Sequence, residues 1–184
     1  LAVCRRGIAG EDTAGIIATL PEITIQLTYQ DGAQHVLLNG EDVSEAIRTP
    51  EISYYASKVS AVPEVRRFLL ETQRNMAKNG NILMDGRDIG TVILPDAPVK
   101  IFLTASAQSR AERRYKELIE KGQEVTMDGI LHDINERDRQ DMTRTVAPLK
   151  QADDAVLLDT SSLTLEESIA AVLRIIREKT EEKA

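Results

Sequence analysis

Hydrophobic and polar residues alternate with a period of two in one early segment of the chain, residues 23–43. Isoleucine, leucine and tyrosine alternate there with threonine and glutamine over 23–29, the pattern of a half-buried strand. The dipeptides Asp31-Gly32 and Asn39-Gly40 are strong hairpin-turn signals on either side of the apolar run 35–38. This segment therefore predicts a small antiparallel sheet built from local contacts.

Three short runs farther along are largely apolar, at residues 82–84, 99–103, which includes Lys100, and 155–158. Strands that are apolar on both faces are typical of a parallel sheet covered by helices. Because helical spacing fills the segments between them, the alternation predicts an α/β fold. Helices are predicted at these places: the end of one within 1–9, then 11–20, two between 44 and 79 separated near Val62-Pro63, then 107–121, 128–141 and 165–182.

Helix-end signals refine these predictions. Thr49-Pro50 and Val62-Pro63 mark breaks between helices, and Asn79-Gly80 is a pair that tolerates the left-handed backbone at a helix end. The last helix begins with Thr164-Leu-Glu-Glu167, the pattern of a capping box.

Composition narrows the class of protein. The 184 residues are 42% hydrophobic and 29% charged, as in a soluble globular domain, and no apolar run reaches the roughly 18 residues of a membrane span. A single cysteine, Cys4, excludes an internal disulfide framework and favours a reducing compartment, so we expect a cytoplasmic protein. A net charge of −7 argues against broad, unspecific binding to nucleic acid, and with no tryptophan and two phenylalanines, aromatic side chains for base stacking are scarce.

The sharpest local motif is Asp85-Gly86-Arg87-Asp88, directly after the first apolar run. Ligands of open parallel sheets bind outside the carboxyl ends of the strands. A carboxylate at such a strand end suits Mg²⁺, and an adjacent arginine suits a phosphate. The alternative is a polar turn after a buried strand, since Asp-Gly is a common turn pair.

Arginines recur at helical spacing in the second half of the chain. One set is Arg110, Arg113 and Arg114, and the other, which includes a carboxylate, is Arg137, Asp141 and Arg144. Each set shares a helix face, and the two flank a glycine-containing connector, as in a flap that closes over a polyphosphate. The alternative is a solvated, salt-bridged helix pair, with acidic partners at Glu112, Glu117 and Asp138.

Other signals for chemistry are weak. His35 and His132 have no neighbouring cysteine or histidine cluster, which argues against zinc. The sequence also has no G-x-x-x-x-G-K-[ST] loop, which an enzyme of polyphosphate chemistry needs as a donor-phosphate cradle.

Seven stretches, in collinear order over essentially the whole chain, carry a family resemblance. They lie at 38–44, 47–50, 56–59, 63–66, 85–91, 95–103 and 136–149. Through them the chain resembles the bacterial cytidylate kinases, the (d)CMP kinases among the nucleoside monophosphate kinases. The resemblance implies transfer of a phosphoryl group from ATP to CMP or dCMP with Mg²⁺. It also implies a monomer whose partners are these nucleotides, with neither nucleic acid nor membrane.

The resemblance implies a P-loop-type parallel sheet flanked by helices, a small antiparallel and helical insertion that binds the monophosphate, and a helical lid. The core would comprise 1–22, 80–105 and 145–184, the monophosphate-binding domain 23–79, and the lid with its flanking helices 106–144. The family begins with a strand, a phosphate loop, a helix and a short segment that contacts the acceptor nucleotide, and this sequence starts just after that segment, at Leu1. We therefore expect the natural protein to be longer, with its central first strand absent here.

The resemblance also implies roles for individual residues on the acceptor side. Ser57, Arg66 and Asp88 match residues that bind the cytosine edge. Arg87 and Arg144 match arginines that bind phosphate. A carboxylate that accepts from the cytosine amine would disfavour uracil, which has an acceptor at that position.

The remaining implied roles concern the sugar, ATP and the metal. Arg137 and Asp141 match groups that hold the sugar hydroxyls and the neighbouring phosphate, and Asp85 matches an acidic strand end near Mg²⁺, directly or through water. The lid residues that match ATP-binding positions are Arg110, Arg113 and Arg114. Catalysis would then rest on Asp85, Arg87 and Arg144.

Two other classes of function stay open on the residues alone. The chain could be a non-catalytic nucleotide-binding module that lacks a phosphate loop, or a structural domain. We expect the 184 residues by themselves to show no kinase turnover, because the donor-phosphate cradle is not among them.

Overall fold

The computed structural model describes residues 1–78 and 81–181, which form an α/β fold. The chain divides into two compact units, Leu1–Gly80 and Asn81–Ala184. The first contains an antiparallel sheet with helices, and the second contains a parallel pair of strands with helices. This is the fold class that the sequence predicts.

The first unit begins with two short helices and continues into the antiparallel sheet. Its elements are α1 (Ala2–Arg5), α2 (Thr13–Thr19), a 3-10 turn (Leu20–Glu22), β1 (Ile25–Gln30), β2 (Ala33–Leu38), β3 (Glu41–Asp42), α3 (Pro50–Val59) and α4 (Pro63–Lys78). The sheet order is β1-β2-β3, and both pairings are antiparallel. The predicted hairpin sheet is therefore confirmed.

Both turns of this sheet have the backbone that their sequences predict. Asp31 and Gly32 have φ of 52° and 77°, and Asn39 and Gly40 have φ of 52° and 84°. Two consecutive positive φ values match the right-handed twist of the strands, and Asn, Asp and Gly tolerate them best.

The two long helices of this unit begin where proline predicts. Pro50 and Pro63 each occupy the first helical position, where the missing backbone N–H costs nothing. Thr49 caps α3 by accepting a hydrogen bond from the Ile52 backbone N–H at 3.2 Å. The predicted end of α4 at Asn79-Gly80 lies outside the described residues. The buried core of the unit comprises Val3, Ile16, Val62 and Val65.

The second unit is built around two parallel strands. Its elements are a π turn (Ile89–Ile93), β4 (Ile101–Thr104), α5 (Ala107–Glu120), α6 (Met127–Thr143), β5 (Val156–Asp159) and α7 (Leu165–Glu181). β4 pairs with β5 in register from Ile101↔Val156 to Thr104↔Asp159. The helix pair α5–α6 encloses a small core of Ala111, Leu118 and Ile130.

The predicted strand at 82–84 is wrong, since the structure gives no strand there. Ile82 and Leu83 are 43% and 89% exposed. A strand is held by hydrogen bonds to a neighbour, and none of the strands that the structure describes pairs with this segment. The expected cover on both faces of the sheet is also incomplete, because Leu103 and Leu157 are 60% and 57% exposed.

The start of α7 confirms the predicted capping box. The Thr164 backbone N–H donates to Glu167 Oε2 at 2.8 Å, and the Glu167 backbone N–H donates to Thr164 Oγ1 at 3.2 Å. The exchange satisfies two backbone donors at the helix start. No helix in the described part of the chain has both the length and the apolar character needed to cross a membrane.

Candidate active site

The loop Asp85–Asp88 is fixed in place by the π turn that follows it. The Asp88 carbonyl accepts from the backbone N–H groups of Val92 at 2.9 Å and Ile93 at 3.2 Å. A Cβ at Gly86 would lie 2.8 Å from the Ile89 side chain. Any residue other than glycine would therefore have to displace the Ile89 side chain. Single π turns are frequent at functional sites.

A carboxylate at the end of α6 bridges two arginines. Arg87 Nε donates to Asp141 Oδ2 at 3.0 Å, and Arg144 Nη1 donates to Asp141 Oδ1 at 3.3 Å. The side chains of Asp141 and Arg144 are each only 14% exposed, whereas that of Arg87 is 42% exposed. The structure therefore brings together three of the predicted site residues that lie up to 57 positions apart in the sequence.

Asp88 completes this group of charges. It is 9% exposed, and its Oδ1 lies 3.9 Å from Arg144 Nη2. We call Arg87, Asp88, Asp141 and Arg144 the Arg–Asp cluster. It contains two arginines and two carboxylates, and each arginine is oriented by a bond to Asp141.

Two other predicted residues of this unit, outside the cluster, are exposed. Arg137 lies on α6, one turn before Asp141, and is exposed. Asp85 is an exposed carboxylate at the start of the loop. Over residues 1–78 and 81–181, no group of three or more His, Cys, Asp or Glu side chains could hold a metal ion by itself.

Two of the predicted lid arginines form ion pairs on α5 and α6. Arg110 donates from Nη1 and Nη2 to the two carboxylate oxygens of Asp138, at 2.9 and 2.5 Å. This bond raises the pKa of Arg110. Arg114 Nη1 donates to Glu117 Oε2 at 2.8 Å. In this conformation Arg110 pairs across α5 and α6 and Arg114 pairs within α5, and their ATP-binding role stays a prediction.

The third, Arg113, connects α5 to the loop after β5. Its guanidinium donates to the carbonyls of Thr160 and Leu163 and, at 3.3 Å, to Thr160 Oγ1. Asp159, the acidic residue at the end of β5, accepts from the Ser161 hydroxyl at 2.5 Å and the Ser161 backbone N–H at 2.8 Å. These bonds lower the pKa of Asp159 and stabilise the loop that Arg113 contacts.

Ser57 and Arg66 lie in the first unit, at the junction between α3 and α4. Arg66 Nη1 donates to the Ser60 carbonyl at 3.4 Å, and the Ser60 hydroxyl donates to the Ser57 carbonyl at 3.1 Å. Both side chains are half-buried. The junction thus links Ser57 and Arg66 through Ser60, a residue that sequence reasoning did not single out.

A further polar group in the first unit was also missed by the sequence reasoning. His35 Nδ1 lies 2.7 Å from Asp42 Oδ2, and Asp42 Oδ1 accepts from the Ser44 hydroxyl and backbone N–H at 2.5 and 2.9 Å. These bonds, those from Ser44 first, lower the pKa of Asp42 to about 2. The residues lie on β2, on β3 and just after it, and their pairing follows from the hairpin register.

The comparisons with known proteins agree with one another. The family model described as cytidylate kinase matches residues 1–178. The cytidylate kinase of Carboxydothermus hydrogenoformans is 48% identical over 171 residues, which cover 93% of this chain and 77% of the relative. That of Thermosipho melanesiensis is 52% identical over 155 residues, or 84% of this chain and 70% of the relative. The cytidylate kinase of Lactobacillus gasseri is 48% identical over 168 residues, which cover 91% of this chain and 73% of the relative.

Proposed function

The chain belongs to the cytidylate kinase family, and we propose that it transfers a phosphoryl group from ATP to CMP or dCMP, giving ADP and the nucleoside diphosphate. The main support for the residue assignments is the Arg–Asp cluster. It joins the loop Asp85–Asp88 to the end of α6 through one bridging carboxylate.

Arg87 and Arg144 bind the phosphate of the acceptor nucleotide. Phosphoryl transfer depends mainly on positioning and on neutralising charge, and the acceptor phosphate is already an anion, so no general base is required. Arg87 uses Nε for Asp141 and is 42% exposed, which leaves its terminal nitrogens for two bonds to phosphate oxygens. Arg144 is more buried and more rigidly held, and it contributes fixed positive charge.

Asp88, Ser57 and Arg66 select the base. A carboxylate at Asp88 accepts a hydrogen bond from the exocyclic amine of cytosine and opposes the oxygen that uracil has there. Its burial supports this role, because a buried carboxylate that faces an acceptor is costly. Arg66 and Ser57 supply donors, which suit the acceptor atoms of the cytosine edge.

Arg137 and Asp141 hold the sugar hydroxyls and the neighbouring phosphate. The exposure of Arg137 leaves it open to a ligand, while Asp141 also orients two arginines. For the domains we propose a core of 1–22, 80–105 and 145–184, a monophosphate-binding domain of 23–79 and a lid region of 106–144.

The lid arginines bind the phosphates of ATP: Arg110, Arg113 and Arg114. To do so, Arg110 exchanges Asp138 for phosphate oxygens, and Arg114 exchanges Glu117. Exchange of one anionic partner for another keeps each guanidinium bonded throughout, which lowers the cost of lid closure.

Asp85 is the residue proposed to hold Mg²⁺, directly or through water. Mg²⁺ keeps several waters and is bound through one or two carboxylates together with substrate phosphates. A single exposed carboxylate such as Asp85 therefore fits the ion. When bound, Mg²⁺ neutralises charge on the phosphate oxygens.

The base-binding role is tested with two adjacent arginines on α4. Arg66→Ala in the complete natural protein should raise KM for CMP at least tenfold and leave KM for ATP within twofold. Arg67→Ala is the matched control, because Arg67 pairs with Glu64 and is 74% exposed. Equal KM values for CMP in the two variants would contradict the role of Arg66.

The phosphate-binding role is tested separately by Arg144→Ala. Removal of a guanidinium that neutralises charge in the transition state should lower kcat by about 100-fold, a size typical of such donors. Initial rates of ADP release at saturating CMP measure the effect. An unchanged kcat would refute the role of Arg144.

A further inference from the structure

Ala147 has a backbone conformation that its side chain does not favour. Its φ is +48°, in the left-handed region. The other described non-glycine residues with positive φ are Asp31 and Asn39, which lie in hairpin turns and belong to residue types that tolerate this region. Alanine has no side-chain group to compensate for the strain, so the conformation must be imposed by the surrounding contacts.

The surrounding contacts form a closed loop at the end of α6. Arg144 Nε donates to the Ala147 carbonyl at 2.7 Å, and the Leu149 backbone N–H donates to the Asp141 carbonyl at 2.8 Å. The Arg144 backbone N–H in turn donates to the Gln140 carbonyl at 3.1 Å. The bond between Leu149 and Asp141 thus closes residues 141–149 into a loop against the end of α6, and Ala147 lies within that loop.

The bond to Ala147 determines how the Arg144 side chain is oriented. A guanidinium is planar, so a bond at Nε restricts the orientation of the whole group, including Nη1 and Nη2. In this orientation Nη1 reaches Asp141 at 3.3 Å, and Nη2 faces Asp88 at 3.9 Å. The carbonyl direction at Ala147 therefore controls the position of Arg144 within the Arg–Asp cluster.

The next residue prevents a simple relaxation of this turn. Pro148 follows Ala147, and a proline disfavours the right-handed helical conformation in the residue before it. A residue at 147 that cannot adopt positive φ would move toward the extended region instead. The carbonyl that holds Arg144 would then point in another direction.

We propose that the left-handed turn at Ala147 is a positioning element that sets the guanidinium of Arg144 for the acceptor phosphate. The inference rests on the proposed function, in which Arg144 binds that phosphate. It goes further, because it assigns the geometry of Arg144 to the backbone of a residue that has no reactive group. Position 147 should therefore accept residues that tolerate positive φ and reject those that do not.

The test compares substitutions of similar size that differ in their tolerance of positive φ. In the complete natural protein, Ala147→Val should lower kcat at least tenfold and raise KM for CMP, with KM for ATP within twofold. Ala147→Asn, which is close to valine in size, and Ala147→Gly should both keep kcat and KM within about threefold of the parent. Equal kinetics for the valine and asparagine variants would overturn the proposal.

A double-mutant cycle with Arg144→Lys separates a positioning role from a general structural one. If Ala147 acts through Arg144, then Ala147→Val should cost less than threefold in kcat when Arg144 is already lysine. Additive effects would overturn the positioning role, whereas an Arg144→Lys variant with the parent kinetics would instead refute the proposed function of Arg144. Circular dichroism verifies that each variant is folded, and Ala147→Leu replaces the valine variant if that variant does not fold.

Discussion

Replacing the bridging carboxylate, Asp141→Asn, tests whether the Arg–Asp cluster is built around it. The side chain is 14% exposed and binds Arg87 at 3.0 Å and Arg144 at 3.3 Å. Hydrogen bonds to charged groups contribute roughly 1.5–3 kcal/mol each. Asparagine keeps one acceptor oxygen but turns a donor toward the other arginine, so one of the two bonds is lost. We therefore expect the free energy of unfolding to fall by about 2 kcal/mol.

This loss corresponds to a decrease in melting temperature of roughly 4–8 °C for a chain of this length, measurable by calorimetry or circular dichroism. The matched control is Glu117→Gln, because Glu117 also binds two cations, Arg114 at 2.8 Å and Lys121 at 2.6 Å, but is 45% exposed. Replacing Glu117 should hardly change the melting temperature, because an exposed ion pair contributes little to stability. Added salt should make that small change smaller still, because it screens exposed charges. Equal shifts for the two variants would refute the structural role of Asp141.

Two smaller predictions concern parts of the chain outside the cluster. Thr164→Ala removes the hydroxyl that caps α7, and it should lower the free energy of unfolding by about 1 kcal/mol in urea denaturation, whereas Thr164→Ser should restore most of it. The Asp42 carboxyl should titrate near 2 by NMR, below its usual 3.8, and Ser44→Ala should raise that pKa, because the bonds from Ser44 are its largest cause. Since the pKa of Asp42 is depressed in the folded state, its contribution to stability should be present above pH 4 and disappear as the pH falls toward 2.

Structural features formed by residues that are adjacent in the sequence could be predicted from it. The hairpin turns needed only Asn, Asp and Gly at positive φ, and the helix starts at Pro50 and Pro63 needed only a fixed φ and a missing donor. The capping box at Thr164 is likewise complete within four residues. In each case the residues that make the stabilising interaction are the same residues that form the predictive sequence pattern.

The predicted strand at 82–84 failed because a strand depends on a partner that the local pattern does not contain. An apolar run shows that a segment is suited to burial, but the hydrogen bonds that make it a strand come from elsewhere in the chain. The run at 101–104 became a strand because 156–159 pairs with it. Both segments are predominantly apolar, so their composition gave no reason to treat them differently.

The sequence predicted which residues belong to the candidate site, but not which of them form hydrogen bonds with one another. Helical spacing placed Asp141 and Arg144 on one face, but the bond from Arg87 to Asp141 crosses 54 residues of sequence. The spacing of the lid arginines likewise did not indicate that each has a different partner. Ala147 carried no local signal, since alanine seldom adopts the left-handed backbone and the contacts that impose it involve the folded end of α6.

The most direct test of the central claim measures products and base selectivity together. The complete natural protein, with ATP and Mg²⁺, should convert CMP and dCMP to their diphosphates with one ADP formed for each, and should use UMP less efficiently. Asp88→Ala should raise KM for CMP and reduce the ratio of kcat/KM for CMP over UMP, while Asp96→Ala, which removes an exposed carboxylate, should leave that ratio unchanged. ADP formed without CDP, or a ratio unaffected by the loss of Asp88, would contradict the account.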